Sequence, residues 1–230
     1  MVREFQGGHS RPEGQPGLTT STYTPREEWL NCAVHVAGIV ASCIAIPVLA
    51  LVGWRSGDPW LLAGGLVFGV SALLMFTTSA LYHAARDPVA RLRLRRLDHA
   101  AIYVLIAGTY TPFTLGALRG TWGWSLAAVI WTLALAGIVF KTTSLGFRFH
   151  RTSVVLYVVM GWLAIVAIRP LMQALTPHEL AWLLAGGLCY TGGVAFYVWK
   201  SKPYTHAIWH VFVLAGVVCH FVTVLSVTAG

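Results

Sequence analysis

Of the 230 residues, 57% are hydrophobic and only 10% are charged, with a formal net charge of +8 at neutral pH. Soluble domains carry roughly 25% charged residues, so this composition excludes a chain that turns its whole surface to water. Positive charge suits nucleic acid through phosphate neutralisation, but its placement along the chain, given below, assigns it to membrane topology instead.

Residues 1–28 are polar, rich in Gly, Pro, Thr and Arg, and lack an apolar core ending in a small-residue cleavage site. They read as a flexible cytoplasmic tail and not as a signal peptide. Residues 29–230 form the membrane domain. A helix needs about 20 apolar residues to cross the hydrocarbon, because each residue rises about 1.5 Å. That ruler places seven spans at 30–52, 60–84, 98–118, 122–140, 152–172, 179–199 and 205–228. Pro112 interrupts the third and frees the carbonyl of Gly108, so one kinked helix is expected, with Thr109, Tyr110 and Thr111 satisfying the released backbone groups. Trp29, Trp54, Trp60, Trp122, Trp124, Trp182 and Trp199 fall near span ends, where indole rings favour the headgroup level. Cys32, Cys43, Cys189 and Cys219 are single and scattered, which indicates neither a disulfide framework nor a cysteine zinc site. The expected fold is all-α: a polytopic bundle of seven transmembrane helices with short loops.

Short cytoplasmic segments accumulate Lys and Arg. Arg3, Arg11 and Arg26 lie in the tail, and Arg86, Arg91, Arg93, Arg95 and Arg96 lie between spans two and three. Lys141, Arg148 and Arg151 follow span four, and Lys200 and Lys202 follow span six. The opposite side holds Arg55, Arg119 and Arg169 alone. The bias puts the amino terminus in the cytoplasm and the carboxyl terminus outside, in a multi-pass cell-membrane protein.

Ionisable groups at the centre of a membrane helix cost roughly 2.5–3.5 kcal/mol on insertion scales, so each needs a reason. Counted inward from the basic residues at about 1.5 Å per residue, His83, Asp98, His206 and His210 fall in one shallow layer, contributed by three helices. His206 and His210 are four apart and share a helix face; Ser79 and His83 repeat that spacing on span two. Three imidazoles, His83, His206 and His210, with one open position match the composition of a catalytic zinc site, in which bound water becomes acidic near neutral pH. Asp98 suits the general base for that water. Iron and other first-row ions accept the same ligands.

Blander roles are available to each residue. Interfacial histidines account for His206 and His210, a helix cap accounts for Asp98, and a bond to the carbonyl of Met75 accounts for Ser79. His220, ten residues beyond His210, reads as a hydrogen-bonded core residue. His35 is a candidate partner behind the ligands. His99 points about 100° away from Asp98 around the helix, and His9, His150 and His178 fall in loops or the tail.

Ser79-Ala-Leu-Tyr-His83, then Arg95-Arg96-Leu97-Asp98-His99-Ala100-Ala101-Ile102-Tyr103 running on to Ala107-Gly108-Thr109-Tyr110-Thr111-Pro112-Phe113, then His206-Ala-Ile-Trp-His210 resemble the bacterial hemolysin III family. That family belongs to the progestin and adiponectin receptor group and is more distantly similar to the alkaline ceramidases. The resemblance covers nearly all of the chain after the tail. It implies one zinc ion per chain near the cytoplasmic face, with His83, His206 and His210 as ligands, Asp98 holding the zinc-bound water and Ser79 supporting it. Among the ceramidase-like relatives such a centre hydrolyses a lipid amide.

Three functions follow as expectations. The first is a metal-dependent hydrolase of a lipid amide or ester, with Asp98 as proton shuttle and Ser79 near the developing oxyanion; its partner is a membrane lipid and not nucleic acid. The second is a receptor or membrane regulator with structural zinc in a closed, four-ligand site. The third is a cytolysin, although spans four to six carry almost no ionisable residue with which to line a pore. Neither substrate nor oligomeric state is legible.

Overall fold

The computed structural model describes residues 23–143, 149–199 and 201–229, excepting the side chain of His150. Arg3, His9, Arg11, Arg148, Lys200 and most of the tail lie outside the described residues. The chain forms α1 (Pro25–Arg55), α2 (Pro59–Ala84), α3 (Pro88–Leu115), α4 (Thr121–Thr142), α5 (His150–Gly161), a 3-10 segment (Leu163–Ala167), α6 (Ile168–Ala174), α7 (Pro177–Val198) and α8 (Thr205–Ala229). α5, the 3-10 segment and α6 together make the fifth crossing, so the bundle is all-α with seven crossings. Among the described residues, six stretches are both long and apolar enough to span a bilayer. The remaining helix, α3, has 28 residues, about 42 Å at the α-helical rise, and its first turns carry Arg91, Arg93, Arg95 and Arg96. The protein is a multi-pass membrane protein.

Capping explains where most helices begin. Thr24 and Glu27 form a capping box at α1, and Thr176 and Glu179 form another at α7, each satisfying amide donors that the first turn leaves open. Asp58 and Asp87 cap α2 and α3, each followed by a proline at the first helical position. Two expectations are corrected here. α3 begins at Pro88 and not near residue 98, so Arg91, Arg93, Arg95 and Arg96, assigned to a loop with Arg86, are helical, and Asp98 lies in the third turn instead of capping the helix. Charged residues shorten the apolar ruler without ending the helix. Likewise α1 begins at Pro25, which makes helix of the last four residues of the expected tail.

Close approach of backbones sets the packing of α1, α2, α3 and α8. A Cβ built on Gly64 would fall 2.7 Å from the Cα of Pro112, and one on Gly108 would fall 2.2 Å from Ser71 Oγ. Only glycine admits α3 this near to α2, which is how membrane helices gain dispersion contact where water supplies no drive. Phe68, Phe76, Leu49 and Tyr103, each no more than 1% exposed, fill the centre.

Pro112 sits inside a continuous α3, as expected. Thr109 and Thr111 bond to the carbonyls of Leu105 and Ala107 in their own helix. Tyr110 acts elsewhere: its hydroxyl donates toward the carbonyls of Met160 and Gly161, 2.9 Å from each, and accepts from the amide of Ala164 at 2.8 Å. The phenol fills the break in the fifth crossing, which the sequence reading had drawn as one unbroken helix.

Candidate metal centre

Four imidazoles meet at one end of the bundle. His35 comes from α1, His83 from the last turn of α2, and His206 and His210 from the first turns of α8. Ring centroids lie 4.1 Å apart for His35 and His210, 5.1 Å for His83 and His210, 5.4 Å for His83 and His206, and 4.4 Å for His206 and His210. The tightest trio is His35, His83 and His210, all buried, with one ring nitrogen from each lying within 4.8 Å of the others. His206 is half-buried beside it, its ring stacked on Tyr23 at 4.7 Å. His83, His206 and His210 thus lie near one another, but the trio whose ring nitrogens converge has His35 in the place expected for His206.

The nitrogens suit an ion. His83 Nε2 and His210 Nε2 are 3.1 Å apart, close to the separation of about 3.3 Å for two nitrogens bound at 2.0–2.1 Å to one tetrahedral metal. On the other side of the ring, His83 Nδ1 lies 2.7 Å from Glu28 Oε2. A carboxylate accepts only, so Nδ1 carries the proton and Nε2 presents its lone pair inward. His35 Nε2 meets Ser79 Oγ at 2.8 Å, while His35 Nδ1 is buried without a hydrogen-bond partner. A buried ring nitrogen without a partner is what a metal position would satisfy.

Ser79 thus does not bond to the carbonyl of Met75; that carbonyl accepts from Thr78. Asp98 has its side chain 13% exposed and lies within interacting range of Ser79 and His83. His99 turns back to the carbonyl of Arg95 at 2.7 Å. His220 bonds to the carbonyl of Leu183 at 3.2 Å, as a core histidine should. His178 is exposed and pairs with Trp182. Sequence reasoning missed Glu28, placed in the tail by its charge. The signal was present: Glu28 and His35 are seven residues apart and share one face of a helix.

Beneath the imidazoles runs a cavity of about 730 Å³, reached by Tyr23, Ser79, Asp98 and His206 at one end and by Leu118 and Leu126 at the other. One wall includes Ile165, Ile168, Met172 and Leu184, each of which is exposed.

Residues 23–221 match the family described as haemolysin-III related. The chain is 44% identical to "Hemolysin-3" of Bacillus cereus over 90% of its own length and 94% of the relative's. Against the "Hemolysin-3 homolog" of Bacillus subtilis it is 43% identical, over 88% and 95% of the two chains. It is also 28% identical to the human "Monocyte to macrophage differentiation factor", over 85% and 82%. Family match and sustained identity agree: the chain belongs to the haemolysin-III-related family.

Proposed function

We propose that this protein is a metal-dependent hydrolase of a membrane lipid carrying an acyl amide or ester, with its centre at the cytoplasmic side. The observation that carries the reading is the convergence of imidazoles, Asp98 and Ser79 on one end of a long cavity whose far end is apolar. His83 and His210 would hold the ion, with His206, their neighbour on α8, as third ligand. Zinc or a similar ion, when bound, supplies polarisation of the scissile carbonyl and acidifies the attacking water. Asp98 takes the proton of that water as its oxygen adds to the carbonyl carbon, and returns it to the leaving nitrogen or oxygen as the acyl bond breaks. The Ser79 hydroxyl donates toward the carbonyl oxygen as charge collects there. Leu118, Leu126 and their neighbours receive the acyl chain. The clustering of Lys and Arg supports a cytoplasmic face for the centre and the amino terminus; reporters fused at Arg91 and after Gly230 should report opposite sides.

Release of free fatty acid from a panel of lipid amides and esters in nanodiscs, with a chelator control, tests the chemistry. Asp98→Asn should keep its metal and lose about 100- to 10,000-fold in turnover, the usual span for a general base. An inactive wild type with full metal, or an Asp98→Asn protein as fast as wild type, would overturn it.

One observation favours a second reading. With His35 as a fourth imidazole ligand the ion has no open position, and the centre braces α1, α2 and α8 as a structural site in a receptor or regulator. His35→Ala separates the two. It strips the ion if His35 is a ligand and leaves it in place if His35 only supports Ser79.

A further inference from the structure

We infer that Glu28 is a positioning residue for the metal centre: its carboxylate fixes the ring orientation and tautomer of His83, and Arg91 holds that carboxylate in place. The inference rests on the proposed metal reading and extends it to a residue of α1 outside the ligand set.

His83 closes the last turn of α2, the end of a helix, where backbone bonding is incomplete and side-chain direction is loosely held. A ligand there needs outside support. Glu28 Oε2 accepts a hydrogen bond from His83 Nδ1–H at 2.7 Å. The other oxygen, Oε1, is in contact with the guanidinium of Arg91. Arg91 is itself anchored twice, by a bond to the carbonyl of Ala85 at 3.1 Å and by lying over the Tyr82 ring at 4.9 Å. The chain of contacts joins three helices: α1 gives the carboxylate, α2 the imidazole, and α3 the clamp.

Charge argues in the same direction. Glu28 and His83 have side chains 14% and 0% exposed, and a carboxylate so placed needs the donors it has. Oε1 meets the guanidinium of Arg91 and Oε2 meets the Nδ1–H of His83. An imidazole that gives its Nδ1 proton toward a carboxylate is a stronger Nε2 donor to a metal, and its ring cannot flip without losing that bond. Loss of such an outer partner typically weakens metal binding 10- to 100-fold.

Glu27, one residue earlier, is the natural control. It accepts from the backbone amide of Tyr204 at 2.9 Å and closes the capping box with Thr24, without touching His83. General loosening of α1 would follow its loss, but misorientation of the ligand would not.

The test uses the full chain in nanodiscs, stripped by chelator and titrated with Zn²⁺ against a chromophoric competitor, then with Co²⁺ for its ligand-field bands. Glu28→Ala should weaken Zn²⁺ binding 10- to 100-fold and shift the Co²⁺ bands. Glu28→Gln keeps an acceptor of the same size without the charge, so it should fall between Glu28→Ala and wild type. Glu27→Ala should stay near wild type in both measurements. If Glu28→Ala fails to accumulate, the Gln variant carries the test alone. The inference is overturned by wild-type affinity and bands in either Glu28 variant, or by a Glu27→Ala loss equal to that of Glu28→Ala. A wild type that binds neither ion overturns the metal reading itself, which is a separate result.

Discussion

The two halves of the bundle are built to different standards. In α2 and α8, 44% of the apolar stretch is buried; in Arg151–Ala174 the share is 17%, and in α7 it is 11%. Three of the four imidazoles of the candidate centre come from α2 and α8, and His35 comes from α1, where the share is 22%, whereas much of the cavity wall comes from the fifth crossing and α7. The difference is instructive. Ligands must be held to a fraction of an ångström, which takes helices locked by packing on several sides. A wall that admits a long apolar molecule needs the opposite.

Substitutions can break this comparison or sharpen it. The largest effect is expected at the ligands: His83→Ala or His210→Ala should lose most of the bound metal by elemental analysis, while His178→Ala, on an exposed surface residue, should keep it. Equal retention in all three would remove the centre from the packed half. Next comes the packing itself. Gly64→Ala places a methyl against the Pro112 backbone, and overpacking of this kind typically costs about 1–3 kcal/mol, measurable as a lower midpoint in thermal unfolding. A bulky residue in the loose half should behave differently. Leu184→Trp, at a position 52% exposed that also lines the cavity, should leave metal content and stability alone yet slow turnover of long-chain substrates by about tenfold. Short-chain substrates should be spared, and a uniform loss across chain lengths would contradict the wall's role.

The smallest effect is expected far from both. Asp58 accepts from the amide of Trp60 and pairs with Arg119 across the opposite loops. The Trp60 amide first, and the Arg119 guanidinium with it, hold the Asp58 carboxyl below its usual value of 3.8. A depressed carboxyl stabilises the fold above its unfolded pKa, and the contribution fades as pH falls through the lowered folded value. Asp58→Asn should therefore lower the unfolding midpoint by no more than about 4 °C at neutral pH, with the gap closing below about pH 4. A gap that persisted in acid would assign the effect to capping geometry and not to charge.

The seven crossings were legible because hydropathy and helical rise together leave little freedom for a chain this apolar. Their ends were less so. Arg91, Arg93, Arg95 and Arg96 interrupt the apolar run without interrupting the helix, and Glu27 and Glu28 concealed the start of α1 in the same way. Ser79, His83, Asp98, His206 and His210 stood out since each is polar at a depth where polarity is costly. His35 did not, because nothing in spacing along the chain shows that α1 lies against α2 and α8. The break at 161–164 was masked because Gly161, Trp162 and Leu163 continue the apolar run; Pro170, which cannot bond to the carbonyl of Val166, was its signal along the chain, and Tyr110, fifty residues away, was not readable from it.

That tyrosine also bears on assembly. A helix inserted alone in lipid must satisfy its own backbone, since the surrounding hydrocarbon offers no partner. The fifth crossing cannot do so in its final form: the carbonyls of Met160 and Gly161 and the amide of Ala164 turn to one phenol on α3. Its native, broken shape therefore exists only after docking against α3. Pro170 already denies the segment one bond of a regular helix, to the carbonyl of Val166. The Tyr110 hydroxyl, supplied by α3, then satisfies the groups that the break leaves open.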